Sequence, residues 1–318
     1  MSVAVRASAR VVLLVNPASG KGRSAALAAL TATRLRSLGH DVVMVAGDDA
    51  ADAKARLDSA LRGSPTAAVV ACGGDGTVNL CLQGIAGTDV ALGILPVGTG
   101  NDIAAHLGIP GDPRAAGDLI ADCLATGGAR VVDAGRVISA DGNERWFLGV
   151  LSSGFDSLVN ERANTMTWPG GQARYIRAIL SELRVFKPVA YSMQVDEGLA
   201  SEFRIQQRGM LVAVGNATSY GGGMRVCPGA LIDDGLLSVT FLGELSTTTF
   251  LRVFPSVYKG THVRRSEVQE YSATTVRLDA PGQVAYADGE RVGPLPVEIR
   301  VVPGAVRLLV PARMTSAT

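Results

Sequence analysis

Histidine is scarce in this chain: three residues, at positions 40, 106 and 262, out of 318. So thin a supply of ring nitrogens gives no ground for expecting a histidine-built metal centre or a Ser-His-Asp triad. Cysteine is nearly as rare, and the four present, at 72, 81, 123 and 227, lack the paired spacing of zinc or redox motifs. Reduced thiols in a cytoplasm are expected. A surplus of one charge is missing too. With 30 basic and 29 acidic residues the formal charge is +1, so there is no electrostatic case for a nucleic-acid partner. Uninterrupted apolar runs of about 18 residues are absent, and stretches such as Gly209 to Met224 are broken by glycine and polar residues, which argues against a transmembrane segment. Arg6 and Arg10 lead into a strand-like run rather than into a signal-peptide core. The length favours two domains.

Glycine is not scarce, and it gathers where strands end. Cys72-Gly73-Gly74-Asp75-Gly76-Thr77-Val78-Asn79 follows the apolar run Ala67 to Ala71, and Thr77 to Ile85 then places apolar residues at near-helical spacing. The stretch reads as strand, glycine loop and helix start. Glycines let backbone N–H groups approach a ligand, and the first turn of a helix offers unpaired N–H groups at a positive dipole end, so the natural guest is a phosphate. Asp75 is the misfit, because a carboxylate beside phosphates needs a cation between them or a chemical task of its own. The combination points to Mg-nucleotide. Taken alone, Gly-Gly-Asp-Gly is equally an ordinary tight turn. A second loop of the same make shifts the balance: Val90 to Leu95 runs into Pro96-Val97-Gly98-Thr99-Gly100-Asn101-Asp102, with another helical stretch from Ile103. Adjacent loops of this type at strand ends suggest one crevice.

The rest of the first part fits the same grammar. Val11 to Val15 is a strand ending at Asn16-Pro17-Ala18-Ser19-Gly20-Lys21-Gly22, Ser24 to Leu38 a helix, Val42 to Val45 a strand and Ala50 to Leu61 a helix. This βαβα series to about residue 125 predicts a parallel sheet covered by helices. Ser19 and Lys21 resemble a phosphate loop, but the Walker A spacing and the dinucleotide fingerprint are absent. From Val131 the pattern changes to short strands: Val131 to Val137, Arg145 to Leu151, Val189 to Val195, Phe203 to Val214, Leu236 to Leu242, Thr274 to Leu278, Gln283 to Tyr286 and Val297 to Val301. These predict a sandwich or barrel. Helices are expected at Phe155 to Ala163 and Arg174 to Phe186, around a Trp168-Pro169-Gly170-Gly171 turn, with a weaker one at Ser246 to Tyr258. Residues 1–130 and 131–304 are the expected domains, and 305–318 is a terminal strand and tail that can return to the first.

Asn16-Pro17-Ala18-Ser19-Gly20, Gly73-Gly74-Asp75-Gly76-Thr77, Pro96-Val97-Gly98-Thr99-Gly100-Asn101-Asp102, Asp234-Gly235-Leu236-Leu237 and Asp288-Gly289-Glu290 occur in the order seen in the diacylglycerol kinase and sphingosine kinase family. Over nearly its whole length the chain resembles the soluble bacterial diacylglycerol kinases. The resemblance implies an α/β ATP-binding domain, with a parallel sheet of the NAD-kinase and phosphofructokinase kind, then a mostly antiparallel β-sandwich domain. ATP and a lipid headgroup are expected to meet in the cleft between them. ATP contacts are implied at Asn16, Pro17, Ala18, Ser19 and Gly20, at Gly73, Gly74, Asp75, Gly76, Thr77 and Asn79, and at Thr99. A structural Mg²⁺ is implied on the Asp234 carboxylate and the backbone carbonyls of Leu231 and Leu236.

Glu290 is the expected acceptor of the lipid hydroxyl's proton, with Asp75 positioning a catalytic Mg²⁺ and the γ-phosphate; the two roles are open to exchange or sharing. Asn101, Asp102 and Asp288 are expected near the substrate. On local sequence alone Asp288-Gly289 is a hairpin turn before an exposed strand residue, Asp233-Asp234-Gly235 a turn between strands, and Asn101-Asp102 a helix N-cap. Leu80 and Ala46 depart from the family pattern, where an acidic residue and a threonine are common. Two other readings stay open: an NAD kinase-like enzyme, or a nucleotide- or lipid-binding sensor without turnover. The partner expected is a lipid met by transient peripheral contact at the inner face of the membrane. Basic residues at 174, 177 and 184, with Lys187 beyond, lie roughly along one side of a helix that could dock there. A homodimer is compatible with the sequence.

Overall fold

Strands that are apolar without alternation must be covered on both faces, and that requirement organises the first part of the chain. The computed structural model describes residues 9–166, 168, 172–196 and 198–310. In it β1 (Arg10–Val15), β3 (Ala68–Gly73) and β4 (Ala91–Pro96) are buried almost throughout, whereas β2 (Asp41–Ala46) alternates and forms an edge. They pair in parallel in the order β4-β3-β1-β2. Five helices alternate with them: α1 (Ser24–Ser37), α2 (Ala50–Gly63), α3 (Asp75–Ile85), α4 (Asp102–His106) and α5 (Pro113–Thr126). α1 packs against α5, and α2 against α3. One compact unit ends at Val132 and takes in the chain again from Gly304; the second is Asp133–Pro303.

Helix starts in the first unit differ in a telling way. Asp49 caps α2 by accepting from Asp52 N–H, and Asp112 caps α5 by accepting from Arg114 and Ala115 N–H. No side chain caps α3, which begins directly after the Gly73-Gly74 turn. Thr77 and Val78 N–H donate back to Gly74 C=O at 2.9 and 3.1 Å, which leaves the Asp75 and Gly76 amides of the first turn without a partner among the described residues.

The second unit is antiparallel. Its elements are β5 (Arg130–Ser139), β6 (Glu144–Phe147), β7 (Val150–Gly154), α6 (Phe155–Thr165), α7 (Gln172–Leu183), β8 (Val189–Val195), β9 (Phe203–Gly215), β10 (Leu237–Gly243), α8 (Thr247–Val253), β11 (Val268–Ala273), β12 (Thr275–Asp279), β13 (Val284–Ala287), β14 (Glu290–Pro294) and β15 (Val297–Leu308). β5 and β15 carry the chain across the unit boundary, and the last residues of β15 lie in the first unit, where Arg307 and Leu308 pair with Ala91 and Leu92 of β4. β9 is the hub: its first half pairs with β8, its second half with β7, and its other edge with β10. Phe147, Tyr191, Val212, Phe241 and Ile299 are among the buried side chains that fill the core. A second cluster seats the helices, with Phe155 edge-on to Phe250 at 4.9 Å and to Phe186 at 5.4 Å.

Local expectations fail in three places here. The single strand expected over Arg145 to Leu151 is two, β6 and β7, because the Leu148-Gly149 backbone is drawn out of the ladder. Leu148 N–H donates to Asp288 and Leu148 C=O accepts from Asn216. The helix expected over Ser246 to Tyr258 stops at Val253 and continues as a 3₁₀ segment, since Pro255 has no N–H to give. β11 was not expected as a strand; its Glu270 and Ser272 are exposed and Gln269 and Tyr271 half-buried, so only Val268 and Ala273 at its ends are buried. The residues at 169–171 in the expected Trp168 turn and the side chains of Lys21 and Arg174 lie outside the described residues.

Candidate active site

In the first unit three strand-end loops are held against each other by backbone contact. Gly20 (φ +60°) lies so close to the third loop that a Cβ would sit 2.5 Å from Val97 Cγ1. At Gly98 a Cβ would sit 2.4 Å from Gly74 Cα, and at Gly73 one would sit 2.1 Å from Thr77 Oγ1. These glycines are required by space, not only by turn geometry. Asn16 ties the first loop to the second by donating its N–H to Cys72 C=O at 3.1 Å, while its side chain accepts from Ala18 N–H at 3.0 Å. Asn101, in the left-handed region at φ +55°, clips the third loop: Oδ1 accepts from Gly98 N–H at 3.0 Å and Nδ2 donates to Gly98 C=O at 2.9 Å. Asn16, Pro17, Ala18, Gly76 and Thr99 are exposed, whereas Thr77 and Asn79 are buried beneath.

Asp75 stands at the centre of this cluster and has a bond pattern the sequence did not reveal. Its Oδ2 accepts from Asp102 N–H and its Oδ1 from Ile103 N–H, both at 3.2 Å, so the cap of α4 comes from the preceding glycine loop. Asn101 and Asp102, expected as the local N-cap, do not supply it; no side-chain cap comes from Asn101. Burial pushes the Asp75 carboxyl above its ordinary range, against the backbone amides of Ile103, Asp102 and Asn101 that favour the ionised form, and the neighbouring Asp102 charge adds to the rise. Two neighbouring carboxylates, Asp75 and Asp102, beside glycine loops suit a divalent cation, so the residues present fit Mg²⁺. Leu80 is half-buried on α3, and Ala46 is exposed at the end of the edge strand.

In the second unit Asp288 and Gly289 form the two-residue turn between β13 and β14, at φ +50° and +81°. The Asp288 carboxylate is engaged by backbone: Leu148 N–H at 2.9 Å on one oxygen, Gly149 and Val150 N–H at 2.9 and 3.2 Å on the other. Glu290 follows as an exposed residue, with no hydrogen-bond or ion-pair partner among the described residues. One acid of the motif anchors the turn and the next is presented to solvent.

The Asp234 turn is an Asx turn. Its Oδ1 accepts from Leu236 N–H at 3.0 Å, and Gly235 N–H donates to Asp133 Oδ2 at 2.7 Å. Among the described residues no three His, Cys, Asp or Glu side chains cluster as metal ligands. A cation at this turn would therefore use the Asp234 carboxylate with the carbonyls of Leu231 and Leu236 and with water, the oxygen donors a hard ion takes. Asn216 adds an observation in its favour. Its Nδ2 donates to Asp133 C=O and Leu148 C=O, yet its Oδ1 is buried without a hydrogen-bond partner.

Sequence reading passed over two acids. Asp133 is buried and holds the Asp234 turn as described. Asp156 begins α6, after Gly154 at φ +104°; its Oδ2 accepts from Ser152 Oγ at 2.6 Å and Asn160 Nδ2 at 3.2 Å, and it is hydrogen-bonded to Tyr220. Burial pushes its carboxyl up. A signal existed: a buried strand ending in glycine, then an acid and a helix, repeats the arrangement at Gly73 to Asp75.

Two family models match the chain. The diacylglycerol kinase catalytic domain covers residues 10–137, and the YegS C-terminal NAD kinase beta sandwich-like domain covers 149–310. The chain is a member of the diacylglycerol kinase family. A diacylglycerol kinase of Mycobacterium tuberculosis is 43% identical over 305 residues, 95% of each chain. That of Bacillus subtilis is 28% identical, covering 91% of this chain and 92% of its own. A crystal structure of a Bacillus anthracis diacylglycerol kinase superposes with a TM-score of 0.68 at 18% identity, over 95% of this chain and 97% of that one. That likeness supports the two-part fold of a diacylglycerol kinase: parallel strands first, an antiparallel sandwich-like part after.

Proposed function

We propose that this protein transfers the γ-phosphate of ATP to the hydroxyl of diacylglycerol or a closely related lipid. The observation that carries the reading is the loop cluster of the first unit: three glycine loops in backbone contact, an uncapped helix start and a half-buried Asp75. That arrangement suits a triphosphate, for which phosphoryl transfer needs positioning and charge neutralisation above all. Asn16 to Gly20, Gly73 to Thr77 with Asn79, and Thr99 hold the nucleotide, with the exposed loop members touching it and the buried Thr77 and Asn79 fixing the backbone. Bound Mg²⁺ would neutralise phosphate charge, and Asp75 with Asp102 supplies the carboxylates to hold it. Asp234, Leu231 and Leu236 hold a second, structural Mg²⁺.

In the transfer the lipid oxygen forms a bond to the γ-phosphorus, the bond to the bridging β–γ oxygen breaks, and the hydroxyl proton passes to Glu290. An exposed, unpartnered carboxylate is free to take it. Asp288, expected as a substrate contact, is spent on three backbone amides and acts by fixing the turn that presents Glu290. Asn101 likewise shapes its loop, leaving Asp102 as the substrate-side acid of the pair. The protein works in the cytoplasm at the inner face of the membrane. Contact there is by peripheral docking in this reading; among the described residues no helix is long and apolar enough to cross a membrane.

Labelled ATP offered with vesicles of diacylglycerol, with sphingoid bases, with ceramide and with NAD tests the reading. Label is expected in a phosphate ester of diacylglycerol. Transfer to NAD alone, or nucleotide binding with transfer to nothing, overturns it.

A further inference from the structure

A groove of about 490 Å³ lies in the first unit on the side of α1 and α5. Its origin is in the packing of those helices. Gly117 brings α5 against α1 at Thr31, where a Cβ would sit 2.9 Å from the Thr31 Oγ1, and the groove opens at the amino-terminal ends of the same two helices. Leu27, Leu30 and Val97 line it, and Leu30 is 54% exposed, high for leucine on a packed helix. Arg23 and Arg114 also line it. Neither has a carboxylate partner among the described residues: Arg23 donates only to Gly20 C=O at 3.1 Å, and the nearby Asp112 is engaged by the amides of α5. Asp112 lines the groove too, with its carboxylate turned to those amides, so two guanidiniums against one carboxylate leave a net positive charge beside an apolar wall, an amphipathic site.

A purine recognised by its edge would need backbone donors and acceptors. The loop bordering the groove has closed its own: Gly98 N–H and C=O are both taken by Asn101. A free phosphate would leave the leucines unused. We infer that this groove binds the phosphate headgroup of an anionic phospholipid, with the guanidiniums of Arg23 and Arg114 on the phosphate and the first acyl methylenes along Leu27, Leu30 and Val97. The groove borders the third glycine loop, whose Pro96, Val97, Gly98 and Asn101 line it, and occupancy needs no turnover. It gives the first unit its own hold on the membrane surface, sensitive to acidic lipid.

Hydrogen exchange locates the ligand without relying on activity. The probe is dihexanoyl phosphatidic acid below its micelle threshold, with dihexanoylglycerol, inorganic phosphate and a non-hydrolysable ATP analogue as comparisons. Phosphatidic acid should slow exchange over residues 23–30 and 111–115. Arg114→Gln, an exposed change remote from the core, should weaken that protection by about tenfold, the worth of one charge-assisted hydrogen bond. Leu30→Ser should weaken it as well, while the analogue protects the glycine loops equally in all three proteins. Unchanged protection in Arg114→Gln overturns the inference. So does equal protection by inorganic phosphate, which would make it a free-anion site, or protection of 111–115 by the analogue, which would make it part of the nucleotide site.

Discussion

At the residue scale Asp75 has one observed duty, the cap of α4, and one proposed, and substitution can separate them. As the cap of α4 it contributes about 1 kcal/mol, so Asp75→Ala should lower stability by that order. Asp75→Asn keeps one of the two acceptor oxygens and should lose only part of that stability, yet lose turnover by about a hundredfold or more once the charge proposed to position the metal is gone. If lost activity tracked lost stability across the two variants, the role would be structural only. Glu290 gives the contrast: exposed and unpartnered, it should leave melting unchanged in Glu290→Ala while turnover falls by about 10²- to 10⁴-fold, the range for a general base. Near-normal turnover would remove it from the mechanism. Asp156 offers a test by pH. Burial holds its folded-state pKa above the ordinary 3.8, so the native protein binds the proton more tightly than the unfolded chain, and stability is lost as pH rises through the folded value. Asp156→Asn is neutral throughout, and its melting temperature relative to the parent should rise from acid toward neutral pH. Parallel curves would refute this. Asp75 was legible as a misfit in a glycine loop; its bonds to Asp102 and Ile103 were not, because no local pattern shows which helix a carboxylate will cap.

At the scale of elements, the hairpin of β13 and β14 shows how one acid supports another. Asp288 joins the turn to the β6–β7 connection through three amides, and those amides lose their acceptor in Asp288→Ala. Partial burial makes the loss worth about 1–3 kcal/mol, measurable by urea unfolding. A variant as stable as the parent would mean that water replaces the carboxylate without cost. The Asp-Gly turn itself was readable from composition, and so were the apolar strands of the first unit, where sequence and burial coincide. Two faults came from long-range forces: Asp288 and Asn216 pull Leu148-Gly149 out of line, and an edge strand such as β11 needs few apolar residues. Periodicity reports burial, and burial is weak wherever a strand has one wet face.

At the scale of the whole molecule the charge balance matters most. A formal charge of +1 gives no global attraction to an anionic bilayer, so the proposed membrane contact rests on local features. The pairing of β15 with β4 likewise lay beyond local pattern, since it joins segments far apart in sequence. One exposed feature beside α7 suits such a contact. Trp168 is 74% exposed, and Arg177 places its guanidinium 5.8 Å from the indole centroid while donating to Trp168 C=O at 3.2 Å. An exposed indole with a cation on its face suits the boundary between headgroups and acyl chains, because one end is apolar and the other remains wet. Arg184 and Lys187 are exposed just beyond. Flotation with vesicles containing acidic lipid should therefore recover the protein at low salt and release it as salt shortens the reach of these charges. Trp168→Ala combined with Arg177→Ala and Arg184→Ala should float poorly and phosphorylate vesicle-borne diacylglycerol slowly, yet act normally on a short-chain acceptor dispersed in detergent. Equal flotation of variant and parent would dismiss this surface, and a matching loss on the dispersed acceptor would place the fault in catalysis instead.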